Sequence, residues 1–204
     1  MAFTDELAFY LFSISFSALL LAYLMADAYW AYRKGQMSLK PMLESLSITM
    51  AIVAVYTLII GVVSQFMWFL PGPYNILFFD PLVAFGIIML AFSLSIRLRV
   101  KTSYAGFLSL MFGGMTIWYG ISSYSLGLTK EPFELLALFI LFGLAAIFTF
   151  PASLILDKFP KRKIDMPMSW NILLAVLWIL LIAAGIVAFI IGGAALPGHL
   201  ASPP

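Results

Sequence analysis

The sequence predicts an all-α protein, a bundle of six transmembrane helices with both termini outside. Three observations lead there. Hydrophobic residues make up 64% of the 204-residue chain and charged residues only 10%, whereas a soluble domain is about half apolar and a quarter charged. Mean hydropathy is correspondingly high, at +1.08. Finally, six apolar stretches each reach the roughly 20 residues that a helix needs to cross the hydrocarbon of a bilayer.

In chain order these spans are residues 7–31, 42–69, 76–96, 104–125, 133–156 and 169–195. The first follows a start, Met1 to Leu7, that carries Asp5 and Glu6 and no basic segment, so it is expected to stay as a membrane helix rather than act as a cleaved leader. The second begins after RKGQMSLKP (Arg33–Pro41) and runs to PGPYN (Pro71–Asn75). The third has two possible starts. If Asn75 caps it, Asp80 lies inside the helix; if it begins at Pro81, the span is short and Arg97 and Arg99 must snorkel to complete the crossing. RLRVKTS (Arg97–Ser103) precedes the fourth span and GLTKEP (Gly127–Pro132) the fifth, for which Thr129 would serve as N-cap. Pro151 inside the fifth removes the bond to the carbonyl of Ile147 and predicts a kink. DKFPKRKIDMP (Asp157–Pro167) leads to the sixth. No connection is long enough to fold alone, so residues 1–204 read as a single membrane domain.

Basic residues in short loops stay in the cytoplasm. Ten of the eleven lysines and arginines fall in the first, third and fifth connections, and only Lys130 lies opposite. Both termini are therefore expected outside the cell membrane. Trp30 and Trp170, with Trp68 and Trp118 at the other side, fit interfacial belts.

The composition also excludes chemistry. There is no cysteine, and the only histidine is His199 near the end. Thiol catalysis, iron–sulfur clusters, bis-histidine haem and an intramembrane Ser–His pair all lack a ligand or base. No cofactor, metal or nucleic-acid partner is expected, and the chain is not expected to be an enzyme.

The fourth span carries Gly106, Ser109, Gly113, Thr116, Gly120 and Ser123 in a strict alternation of three and four, which places them on one helical face. Such a face lets backbones approach closely in lipid; Ser109, Gly113, Thr116, Gly120 and Ser123 are therefore pore-lining or packing positions. Gly185, Ala188, Gly192 and Ala195 repeat the pattern in the sixth span. Mid-span positions carry no charge, which argues against ion-coupled transport. Asp27 and Glu44 are expected to pair with Arg33, Lys40 or Arg97. Toward the outer face gather Gln65, Trp68, Tyr74, Asn75, Asp80, Tyr119 and Tyr124, the candidate substrate-binding residues.

The segment FMWFLPGPYNILFFDPLVAFG (Phe66–Gly86) followed by GLTKEP (Gly127–Pro132) resembles the prokaryotic, largely archaeal membrane proteins of domain-of-unknown-function family 981. The resemblance covers nearly the whole chain and implies no established activity. It does imply that Pro71 to Asn75, Asp80, Pro81 and Gly127 to Pro132 are characteristic, and that all lie on the outward side. A looser, architectural similarity is to the acid-gated urea and amide channel family, although the carboxylate of that family's last span has no counterpart here. Internally, GVVSQ (Gly61–Gln65) and GISSY (Gly120–Tyr124) hint that spans two–three and four–five are related hairpins.

The reading that accounts for most of these features is a channel or carrier for a small, mostly uncharged solute that enters from the outer aromatic vestibule. The alternative is a non-catalytic subunit or assembly factor of a larger membrane complex, for example a respiratory one. The lipid bilayer is the expected surround, with either a homo-oligomer or foreign membrane subunits as further partners. An intramembrane enzyme would need Asp5, Glu6, Asp80, Glu131 and Glu134 to hold a divalent cation.

Overall fold

A computed structural model describes residues 6–34, 39–158 and 167–201. The described residues form six helices and no strand: α1 (Glu6–Lys34), α2 (Leu39–Met67), α3 (Pro73–Leu98), α4 (Ser103–Ser125), α5 (Pro132–Lys158) and α6 (Met168–Ala201). Each is long and apolar enough to cross a membrane. Every expected span falls on one of them, with ends that differ by a few residues.

The ends have identifiable causes. Gly72, at φ 57°, turns the chain sharply, and Pro73 then takes the first-turn position, where its missing N–H costs nothing. The third helix therefore starts before Asn75, which is not its cap but a residue of its first turn. This places Asp80 two turns inside α3 and removes the short-span alternative. At the end of α4, Gly127 is left-handed at φ 59°; its N–H bonds Tyr124 O and the N–H of Leu128 bonds Ser123 O, a Schellman closure. Arg99 closes α3 in the same way, with bonds to Ile96 and, through Val100, to Ser95. Thr129 does not cap α5: the helix begins three residues later, and the Thr129 hydroxyl is buried without a partner.

Each helix packs on its neighbours in the chain, and α6 returns to α1, so the six form a closed ring in sequence order. The α4–α5 contact is the most extensive and the α1–α2 contact the slightest. Small residues make the tight seams possible. A Cβ at Gly113 would stand 2.7 Å from the carbonyl oxygen of Gly143, and one at Gly120 would stand 2.6 Å from Phe139 Cβ. Gly61 plays the same part between α2 and α3, where a Cβ would meet Val83 at 2.7 Å. The glycines of the two similar segments thus each admit the following helix.

One end of the ring holds the basic connections and the other holds Glu131, Glu134 and the beginning of α1; these are called the basic and acidic ends below. At the basic end Asp157 of α5 accepts bonds from the backbone N–H groups of Thr102 and Ser103 at 2.7 and 2.9 Å. It caps α4 from a neighbouring helix and offsets the positive helix end. Glu44 pairs with Arg99 at 3.0 Å rather than with Arg97, and the left-handed turn at Arg99 presents that side chain to α2. Asp27 is exposed, and the side chains of Arg33 and Lys40 lie outside the described residues.

The α4–α5 seam carries a test. Gly113→Leu should lower unfolding stability in detergent by about 1–3 kcal/mol, the usual cost of overpacking. Gly114→Leu, whose Cβ meets nothing within 4 Å, should leave the melting temperature almost unchanged.

Candidate functional site

Three apolar clusters determine where space remains. At the acidic end Tyr10, Leu11 and Ile14 of α1 pack with Leu77, Phe78, Phe79 and Leu82 of α3 and with Leu138 and Phe139 of α5. This cluster fills the middle of the ring. Toward the basic end the core divides. Ala22, Ala145, Leu177 and Leu181 join α1, α5 and α6, while Ile88, Phe92 and Ala105 join α3 and α4.

Between the two half-cores lies a cavity of about 480 Å³ with lining residues from all six helices. Among the described residues no charged side chain contributes to its wall, which is built from residues such as Met25, Met50, Phe85, Met89, Phe142 and Trp178. Its polar groups are mostly spent on the protein. Ser109 Oγ donates across the seam to Ala146 O at 2.8 Å, and Thr116 and Thr149 donate to their own helices. Trp178 Nε1 donates to Ala22 O at 3.1 Å and Tyr29 Oη to Asn171 Oδ1 at 3.2 Å.

A polar cluster lies at the acidic end. Asp80 of α3 accepts a bond from Gln65 Nε2 of α2 at 2.6 Å and another from Tyr119 Oη of α4 at 2.6 Å. One carboxylate therefore ties three helices, each of its oxygens taking one donor. Beside it, Tyr74 Oη donates to Leu128 O, which binds the first turn of α3 to the loop before α5. Asn75, only 1% exposed, accepts the N–H of Leu70 at 3.2 Å and fixes the loop before α3 from within the helix. Five of the seven candidate binding residues thus meet in one region. The other two do not: Trp68, with φ 52°, and Tyr124 are about half exposed on the outside of the bundle.

The stripe on α4 divides as well. Gly106, Gly113 and Gly120 face α5, Ser123 donates to Gly120 O, and only Ser109 and Thr116 also reach the cavity. Sequence reasoning missed Tyr10, which stands in the cavity wall. Its one signal is a tyrosine lying a turn inside an apolar span. Among the described residues no three His, Cys, Asp or Glu side chains come together as a metal site.

A closed ring of membrane-length helices around an uncharged, apolar chamber defines a polytopic membrane protein. More particularly, the chain belongs to the family described as protein of unknown function DUF981, which matches residues 1–202. No curated protein and no solved structure matches it. The two segments that carry the family resemblance are the ones joined by the Tyr74–Leu128 bond.

The Asp80 cluster predicts coupled energetics. Asp80→Asn and Tyr119→Phe should each destabilise the protein by about 1–3 kcal/mol. The double variant should lose less than the sum, by about 1 kcal/mol, in a cycle of unfolding measured in mixed micelles. Additive losses would mean that the bond contributes nothing to stability.

Proposed function

We propose that this protein is a non-enzymatic carrier of the cell membrane that takes an uncharged, largely apolar molecule into its central cavity. The observation that supports the reading is the cavity wall, drawn from all six helices with no charged side chain among the described residues. At about 480 Å³ the chamber falls within the roughly 300–1,000 Å³ of pockets that hold drug-sized molecules. Scaled from a cavity of about 150 Å³ that takes one benzene, it has room for about three rings.

The wall argues for an apolar rather than a water-like solute. Urea or glycerol would need free donors and acceptors along its path, and most of the wall's hydroxyls are already bonded to backbone carbonyls. With the basic loops in the cytoplasm, the cavity runs from the cytoplasmic side up to the aromatic cluster of Tyr10, Phe78, Phe79 and Phe139, which closes it from outside. Passage then requires that this cluster part, so the ring works as a gated carrier rather than an open pore. Asp80, Gln65 and Tyr119 hold α2, α3 and α4 together beside that closure.

Diphenylhexatriene, an uncharged three-segment polyene, tests the reading in lipid nanodiscs. Energy transfer from Trp30 and Trp178, which line the cavity, should saturate at low probe-to-lipid ratio. Ala145→Phe, which fills the wall between α5 and α6, should weaken that saturable transfer about tenfold or more, on the scale of a well-filled site. The cationic trimethylammonium derivative should show only the non-saturable component. Transfer that is linear in probe for every variant would count against a binding chamber.

A further inference from the structure

We infer that the molecule held in the cavity carries one hydrogen-bond-accepting oxygen, a carbonyl above all, and lodges it on the hydroxyl of Tyr10. The inference rests on the carrier reading above and specifies its ligand. Tyr10 is 4% exposed and forms part of the cavity wall. Its ring is held edge-on by Phe78 and Phe79, with centroids 5.4 and 6.0 Å away. Its hydroxyl has no hydrogen-bond partner among the described residues. Nor is that oxygen sealed in protein: Thr129 Oγ1 is the one side-chain polar atom, among the described residues, that is both closed off and unpartnered. The phenol oxygen therefore keeps accessible surface, and the space beside its residue is the cavity.

An unpartnered phenol inside a bilayer is costly, and buried tyrosines ordinarily find a partner for the O–H. Water is a poor candidate here, because a buried water needs two to four polar partners. The Phe78 and Phe79 rings against Tyr10 offer none, and the Thr116 hydroxyl in the same cavity wall already donates to Phe112 O. A ligand oxygen satisfies the phenol without that requirement. A phenol donates more readily than it accepts, which calls for an acceptor. A carbonyl oxygen accepts more strongly than an ether, and an aliphatic amine would enter as a charged ammonium with no acceptor to offer.

The position of Tyr10 also sets the orientation of the ligand. It sits at the closed, acidic end of the chamber, in the cluster that plugs the ring. Of the other polar side chains with cavity surface, Tyr29, Asn171 and Trp178 lie toward the basic end and are bonded to protein. The ligand therefore enters oxygen first, with its apolar body extended between the two half-cores. Long-chain ketones, aldehydes, quinones and esters share this chemistry.

Benzophenone combines a carbonyl with two rings and inserts under ultraviolet light into nearby C–H bonds, so it reports where it binds. In nanodiscs, adducts should form at Met89, which is buried in the cavity wall, in excess over Met111, which is 60% exposed on the lipid side. Tyr10→Phe keeps the ring packing. It should lower the Met89-to-Met111 adduct ratio about fivefold or more, the loss expected for one hydrogen bond, with no change at Met111. In the unaltered protein, fluorenone should displace benzophenone from Met89 at about one-fifth the concentration of fluorene or less, and this preference should vanish in Tyr10→Phe. Equal cavity labelling in both proteins, or equal competition by fluorenone and fluorene, would overturn the role of Tyr10 while leaving the carrier reading intact. Absence of excess labelling at Met89 in the unaltered protein would overturn both.

Discussion

Six helices joined by short loops make an open arc unless the first and last can meet, and that meeting determines whether a chamber exists at all. Here it depends on small residues. Gly185 and Gly192 of α6 bring that helix against α1, where Ser15 Oγ donates to Gly185 O at 2.7 Å. In a bilayer the hydrophobic effect gives no preference for helix–helix over helix–lipid contact, so close approach and such bonds have to provide it. Once α1 and α6 are joined, Trp178 can donate to Ala22 and the second half-core can form. The cavity is what remains between the halves, because both are anchored to one cluster at the acidic end only.

The acidic end is correspondingly the constrained end. Asp80 engages two helices besides its own, and Tyr74 fastens the start of α3 to the loop before α5. A carboxylate at the edge of the hydrocarbon is expensive unless its oxygens are satisfied, and the geometry satisfies both with neutral donors. Asp80, Tyr74 and Asn75 therefore serve first to assemble the closed side of the chamber. The slight α1–α2 contact lies at the same end, where Ser13 and Phe9 meet Tyr56. Toward the basic end, Leu24, Met25, Leu43 and Leu46 border the cavity from those two helices.

Much of the fold was legible because span length and apolarity are absolute requirements of the bilayer, and these placed all six helices within a few residues. The small-residue stripe of α4 was legible as a face, but not the helix that it meets, since steps of three and four give a helical face and no partner. The start of α3 was not. It turns on Gly72, whose backbone angle overrides the capping preference of Asn75 and carries Asp80 into the helix. Thr129 misled for a similar reason: its side chain suits a cap, but the left-handed turn at Gly127 and the start at Pro132 leave it too early in the chain. The cavity was illegible because it arises from residues distant in sequence. A Met or Phe facing a void looks the same in a sequence as one facing lipid. Tyr10 was hidden for that reason, one polar oxygen in a run of apolar residues whose meaning depends on Phe78 and Phe79 some seventy residues later.

Because each helix touches mainly those before and after it, the ring can be built as the chain emerges. The hairpin of α2 and α3, then that of α4 and α5, can form from local contacts alone, with little loop-closure entropy. Only the last step is distant: α1 waits with one flank uncovered until α6 arrives. During synthesis the chamber is a furrow open to the surrounding lipid, and whatever apolar molecule lies in that furrow when α6 docks is enclosed without having to pass the aromatic closure.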